Sequence, residues 1–178
     1  MWMLVFQNGE GQVPLTFALK NLGHSPAVRV SINVKLVLSN ITNLLEAQKE
    51  YCEHFRKPLP PNALRPEFTL WPGDLLVFTV PAWMNSVDMP KFKEWADRTP
   101  FPIALLAVIG CIDYEFTFGE EGHHQTALIY DLHKISPYPR SQFGQVYSHI
   151  PGAVLLDGTI PESDLVLKFN IVGTGPID

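Results

Sequence analysis

FPIALLAVIGCIDYEFTFGEEGHHQTALIYDL, Phe101 to Leu132, is the stretch whose reading decides the fold. Ile103 to Ile109 is a continuous apolar run, too short to cross a bilayer and rich in strand formers. It predicts a strand buried on both faces, in the middle of a sheet. From Gly110 the pattern changes to alternation. Ile112, Tyr114 and Phe116 fall on one face, and Cys111, Asp113 and Glu115 on the other. Gly119-Glu120-Glu121-Gly122 predicts a tight turn, its glycines able to take the positive φ values such a turn needs. On the return strand His124, Thr126, Leu128, Tyr130 and Leu132 share a face. Aligning the two apolar faces sets Phe116 opposite His124, Tyr114 opposite Thr126 and Ile112 opposite Leu128.

Upstream, Met1 to Phe6 and Val13 to Leu19 read as strands separated by an Asn8-Gly9-Glu10-Gly11 turn. Asn21 to Ala27 combines Asn, Gly and Pro and predicts a turn or bulge. Val28 to Leu38 is the cleanest strand pattern: Val28, Val30, Ile32, Val34, Leu36 and Leu38 on one face, Arg29, Ser31, Asn33 and Lys35 on the other. Asn40 or Thr42 can cap a helix running to about Lys57, with Ile41, Leu44, Leu45, Tyr51, Cys52 and Phe55 as its apolar stripe. Phe68 to Trp71 and Leu75 to Val80 read as strands joined by a Pro72-Gly73 type II turn. A second helix is expected over Met89 to Ala96, capped by Asp88, with Phe92, Trp95 and Ala96 buried. Beyond Leu132, weak strands are expected at Gln145 to His149 and Ala153 to Leu156, and a last one at Asp164 to Val172.

Several short strands, hairpins and proline-rich turns predict a mainly β chain, specifically an immunoglobulin-like antiparallel β-sandwich with two inserted helices. The length of 178 residues predicts a single domain over 1–172, with 173–178 as a flexible tail. Sixteen prolines fit stiff loops between strands, and hydrophobic residues at 46% suffice for a real core. A net charge of −5 with no basic run excludes general nucleic-acid binding, which needs a phosphate-binding footprint. No run of about 18 apolar residues is present to cross a bilayer as a helix.

Candidate chemistry sits in the central hairpin. Adjacent strand residues point to opposite faces, so His123 and His124 do not readily share a metal, although turn geometry with Glu120 or Glu121 could relax that. Asp113 and Glu115 lie on one face, where paired carboxylates can serve as acid and base if their environments differ. A solvated sheet face accounts for them more simply. Cys111 has no base fixed beside it. Cys52 and Cys111 are read as two core thiols or as a disulfide between them; both readings stand at this point. Gly173-Thr174-Gly175 lacks the lysine and helix of a phosphate loop. Trp71, Trp83 and Trp95 suit either a binding rim or ordinary packing.

With these segments placed, the chain resembles a group of uncharacterised bacterial membrane-anchored proteins that carry an N-terminal membrane helix, a helical spacer and a C-terminal β-sandwich. The resemblance rests on an N-x-G-x-[ST]-P-A turn (Asn21, Gly23, Ser25, Pro26, Ala27), a Pro-Gly turn (Pro72, Gly73), and a G-x-[ILV]-x-Y strand with a Thr-containing return (Gly110, Ile112, Tyr114, Thr126). Cys111, Asp113, His123, His124 and Gln125 extend it. It covers most of Val13 to Leu132 and implies an immunoglobulin-like fold; the family's membrane helix and spacer are not matched here, so the expectation is either the soluble part of a longer protein tethered to the bacterial inner membrane or a free-standing relative. It implies no reaction. The expectation is therefore a non-catalytic binding or sensory domain without a cofactor or metal. Its candidate functional surface is Asp113, Tyr114, His123, His124, Gln125 and Thr126, and its partner an unknown protein or small molecule. The alternatives are a small metal-dependent hydrolase using the 111–126 hairpin and a structural domain that forms homo-oligomers.

Overall fold

The computed structural model describes residues 3–7, 10–39, 42–56, 66–84, 103–117, 122–135 and 158–170, with short pieces at 90–91, 94, 97–98, 147–148, 150–151 and 175–176. The chain is mainly β. Strands β1 (Met3–Gln7), β2 (Glu10–Lys20) and β3 (Ala27–Leu38) precede the helix α1 (Leu44–Arg56). Then come β4 (Phe68–Leu70), β5 (Leu75–Met84), β6 (Ile103–Ala104), β7 (Leu106–Phe116) and β8 (His123–Ile135). The C-terminal third adds β9 (Tyr147–Ser148), β10 (Ile150–Pro151), β11 (Gly158–Pro161), β12 (Leu165–Phe169) and β13 (Gly175–Pro176).

The main sheet runs β11-β1-β2-β5-β3-β7-β8-β12. Its pairings are antiparallel except at one point, where β3 meets β5 in parallel through Lys35 and Trp83. That corner joins two walls, β1-β2-β5 and β3-β7-β8. The two outermost strands, β11 and β12, are linked by a single 3₁₀ turn of three residues, Glu162–Asp164. A sheet whose first and last strands are so close in sequence must curl until its ends approach, and this one is nearly barrel-shaped.

The core fills the space between the walls. Leu4, Phe6, Val13, Leu15, Ala82 and Met84 from one wall meet Val34, Leu36, Leu38, Leu106, Val108 and Leu132 from the other. The doubly buried strand expected over Ile103 to Ile109 is broken at its start: Leu105 is exposed, Ile103–Ala104 is the separate strand β6 paired with β10, and burial on both faces runs from Leu106 to Cys111. Even-numbered residues enter this core. Ala107 and Ile109, with Val37 and Ile129, face outward and are covered by Leu44, Ala47 and Tyr51 of α1.

Four expectations need correction. The β7–β8 register is shifted by two residues: Tyr114 opposes His124, Ile112 opposes Thr126 and Gly110 opposes Leu128. An even shift keeps every side chain on its expected face, so face-matching alone could not detect it. In β3 the alternation breaks at a bulge between Val28 and Ser31, where Arg29 takes φ +54. The extra residue sets Val28 opposite Glu115 while Ala27 and Val30 join the apolar cluster with Leu70. In α1, Leu45 is exposed and the sheet-facing stripe is Leu44, Ala47, Gln48, Tyr51, Cys52 and Phe55. The helix starts at Leu44, one residue later than a Thr42 cap and three later than an Asn40 cap would set it, with Ala47 N–H donating to the Asn43 carbonyl at 2.9 Å. Finally, the expected free tail contributes β13, which pairs with Thr126 and Ala127. Of the expected second helix, Pro90, Lys91 and Glu94 are helical; Phe92, Trp95 and Ala96 lie outside the described residues, as does the strand expected at 153–156.

Gly110 is fixed by close approach rather than by turn geometry. A Cβ there would run into the Asn33 carbonyl oxygen and come within 2.8 Å of Val34 Cγ1. An ordinary strand glycine gains stability when replaced by alanine, because glycine costs backbone entropy. Here Gly110→Ala should instead lower the urea midpoint, through a stability loss of ~1–3 kcal/mol from overpacking, with an unchanged denaturant slope. A stabilised variant would show that the strands can separate at this point without cost.

Candidate functional site

The central hairpin sorts its motif residues by parity. Cys111, Asp113, His123 and Gln125 lie on the outer side of the β3-β7-β8 wall, against α1. Gly110, Tyr114, His124 and Thr126 lie on the inner side. The period of two in a strand imposes this division. The candidate surface Asp113, Tyr114, His123, His124, Gln125 and Thr126 is therefore two separate constellations.

The outer one is a buried polar network. Cys52 in α1 is disulfide-bonded to Cys111 in β7, with the Cα atoms 5.7 Å apart. Both cysteines are fully enclosed. Beside them Gln48 donates from Nε2 to Cys52 Sγ at 2.9 Å and to the Gly110 carbonyl at 3.3 Å. Gln125, only 1% exposed, donates from Nε2 to the Cys52 carbonyl at 3.0 Å and to Asp113 Oδ1 at 2.5 Å. Asn33 donates to Asp113 Oδ2 at 3.4 Å. His123 Nε2 stands 3.6 Å from Asp113 Oδ1, an ion pair when the imidazole is protonated. Asp113 is only 2% exposed, so its carboxylate depends on these donors to replace water. Further along α1, Tyr51 donates to the Val34 carbonyl at 3.0 Å, and burial raises its phenol pKa well above the usual range.

This arrangement suits holding a helix more than acid–base work. Both Asp113 oxygens are engaged by amides, and the approach from the helix side is closed. Glu115, the expected partner carboxylate, points to solvent and pairs with Arg29 at 3.1 Å. His123 and His124 diverge to opposite faces. Among the described residues no group of three His, Cys, Asp or Glu is placed to hold a metal ion. Of the three side chains the hydrolase alternative names, Asp113 and His123 meet on the outer face and His124 lies on the inner one.

The inner constellation is aromatic. The His124 ring stacks on Tyr114, with centroids 5.6 Å apart and planes at 22°, and lies 5.3 Å from Phe116. Tyr114, Phe116, Thr126 and Ile112 form one wall of a pocket of about 220 Å³. Ala27 and Val30 of β3 and Leu70 of β4 extend that wall, Leu19 of β2 also lines the pocket, and Lys20, Asn21 and Leu22 follow at its edge. A second cavity of about 230 Å³, between β2 and β12, touches none of the residues the motifs single out.

The Asn-containing turn builds that edge. Asn21 donates both Nδ2 protons, to the Ser25 and Leu70 carbonyls, each at 2.9 Å. Its Oδ1 accepts from Gly23 N–H at 2.9 Å. Its own carbonyl accepts from Gly73 N–H at 2.8 Å. Gly73 takes φ +86 in the Trp71–Asp74 turn, closed by Asp74 N–H on the Trp71 carbonyl at 3.0 Å. The two turn motifs are thus one assembly, bolted through Asn21. Leu22 and Trp71 of these turns are exposed, and so is Phe116 in the pocket lining.

Comparison with protein-family models, with curated proteins and with solved structures gives no match. The site's reading therefore rests on its geometry.

Sequence reasoning missed Gln48. Its position at i+4 from Leu44 and i−4 from Cys52 marks it as sheet-facing, but its polarity placed it elsewhere. The disulfide joins positions separated by 59 residues, and a loop of that size gives about 4 kcal/mol in the chain-entropy account. A Cys52→Ala, Cys111→Ala variant should lose stability on that scale in urea unfolding while keeping its far-UV strand signal. A loss below about 1 kcal/mol would mean that the bridge contributes little to folding.

Proposed function

We propose that this chain is a non-catalytic binding domain, an immunoglobulin-like β-sandwich belonging to a bacterial protein tethered to the inner membrane. The observation that carries the binding reading is the pocket lined by Leu19, Ala27, Ile112, Tyr114 and Thr126, with the exposed side chains of Leu22 and Phe116 beside it. Concave apolar sites with a few polar groups are the ordinary form of small-ligand sites. Exposed apolar side chains gathered at one end are the ordinary mark of a contact surface. The two facing walls support the sandwich assignment. The tether is supported by the N-x-G-x-[ST]-P-A and G-C-x-D-Y motifs, through the resemblance they carry. No helix among the described residues is long and apolar enough to cross a membrane. The Cys52–Cys111 bridge supports an oxidising compartment, and hence the outer side of that membrane.

A second reading, self-association, is favoured by the outer face of β2 and β5. There Leu75, Val77 and Trp83 are exposed beside Ala18 and the paired hydroxyls of Thr16 and Thr79.

Ligand-observed NMR against a fragment library tests the binding reading. Apolar fragments should bind the wild-type chain and be lost in Thr126→Phe, which fills the pocket from β8. A library with no binder sensitive to Thr126→Phe would contradict it.

A further inference from the structure

We propose that the cleft between β2 and β12 is a second binding site, and that it takes an extended peptide of a partner protein, alternating apolar and polar residues, as a strand added to β2. The cleft shares no lining residue with the pocket beside Tyr114.

The exposed backbone follows from two prolines. Pro14 lies directly opposite Pro81 in the β2–β5 ladder. Neither has an N–H, so a hydrogen-bonded pair here would lack both of its bonds, and this is a non-hydrogen-bonded pair. Alternation makes Thr16–Thr79 and Ala18–Val77 non-hydrogen-bonded pairs as well. Two contacts agree. The same register carries on to Asn21 and Asp74, where Asn21 N–H donates to the Asp74 carbonyl at 3.3 Å, so the hydrogen-bonded pairs fall at odd-numbered residues of β2. The Thr16 and Thr79 hydroxyls lie 3.0 Å apart, and side chains approach most closely in non-hydrogen-bonded pairs. The N–H and C=O groups of Thr16 and Ala18 therefore point away from β5. On that side β1 covers β2 only from Glu10 to Gln12 and stops before Pro14, which has no N–H to offer it. Among the described residues no strand, turn or side chain gives the Thr16 or Ala18 backbone a hydrogen bond there.

The cleft lies against this edge. Successive residues line it from both strands, Val13 to Thr16 of β2 and Leu165 to Leu167 of β12. Neighbouring strand residues point to opposite faces, so a cleft that touches all of them lies between two strand edges and not on one sheet face. Val13, Leu15 and Leu132 are buried around it, and Leu165 and Leu167 pack on the same core. A strand paired with Thr16 and Ala18 turns every second side chain onto this apolar floor and the others outward. Its main chain supplies the hydrogen bonds and its inward side chains the selectivity. The volume is about 230 Å³; a cavity of about 150 Å³ already admits benzene, so a branched or aromatic inward side chain fits. A lipid or a bare aromatic ring covers the floor and leaves the amide edge unmet.

The test follows amide hydrogen exchange and chemical shifts of the whole chain with a capped peptide of about seven residues, an ordinary strand length, alternating threonine with valine and leucine. The control is the same peptide N-methylated along its backbone. In the free chain the amides of Thr16 and Ala18 should exchange faster than those of Leu15 and Phe17. The peptide should slow both ~10-fold or more at saturation and shift Leu165 to Leu167. The N-methylated peptide should bind at least ~10-fold more weakly, the worth of two net hydrogen bonds. Thr16→Pro should fold, because it removes no bond to β5, and should no longer bind the peptide; the N-methylated peptide decides the matter on the wild-type chain if that variant does not fold. The proposal falls if Thr16 and Ala18 are already as protected as Leu15 and Phe17 in the free chain, if the N-methylated peptide binds equally well, or if Thr16→Pro binds like the wild type. Shifts confined to Ile112, Tyr114 and Thr126 would also overturn this site, by sending the peptide to the other pocket.

Discussion

The two-residue period of the β7–β8 hairpin is the constraint on which the rest of the structure depends. These strands occupy the middle of a wall covered on both sides, so each residue must satisfy one of two different environments. Inward residues meet the core and, near the tip, the pocket. Outward residues meet α1 or water. The motif run from Gly110 to Tyr114 and from His123 to Thr126 is consequently two interleaved sets of residues with two purposes. Apparent clusters in sequence, such as His123-His124, come apart in space. Residues distant in sequence, such as Cys52, Asp113 and Gln125, come together.

The outer set shows how a polar helix insertion can be held on a sheet. α1 buries only a short apolar stripe against Val37, Ala107, Ile109 and Ile129, and its exposed face is strongly charged. A helix of 13 residues is marginal alone. The Cys52–Cys111 bond, the Gln125 amide, and the hydrogen bonds of Gln48 to Gly110 and Tyr51 to Val34 add to that attachment. Gln125 bridges helix carbonyl and strand carboxylate at once, so its removal would leave Asp113 buried with one fewer donor. A buried polar group stripped of a partner costs about 1–3 kcal/mol, more when charged. The bulge at Arg29 belongs to the same economy of faces. A non-glycine residue in the left-handed region costs roughly 1–2 kcal/mol, and here it re-phases β3 so that Ala27 and Val30 both reach the pocket side.

The hairpin, the faces of its strands, the doubly buried run and the two turn motifs were legible in the sequence, because each has a local signature: alternation, an apolar run, Asn-Gly-Pro chemistry. What was not legible depends on partners far along the chain. A two-residue register shift preserves every face. The bulge at Arg29 breaks a pattern that reads as uninterrupted. Gln48 is polar yet sheet-facing, and Leu45 is apolar yet exposed, because the helix is phased by where Cys52 must meet Cys111. Spacing alone could not choose between free thiols and that bond. Likewise the Asn21 turn looked like a simple redirection of the chain; only its hydrogen bonds to Leu70 and Gly73 reveal it as the rim of a pocket.

Hydrogen exchange on two variants of neighbouring residues tests the division of faces most directly. Gln125→Leu should raise exchange throughout α1 and leave Ile112 to Phe116 protected. Thr126→Leu should leave α1 protected and perturb only the pocket wall and β13. Similar exchange maps for the two variants would contradict the account, since adjacent residues would then belong to one constellation.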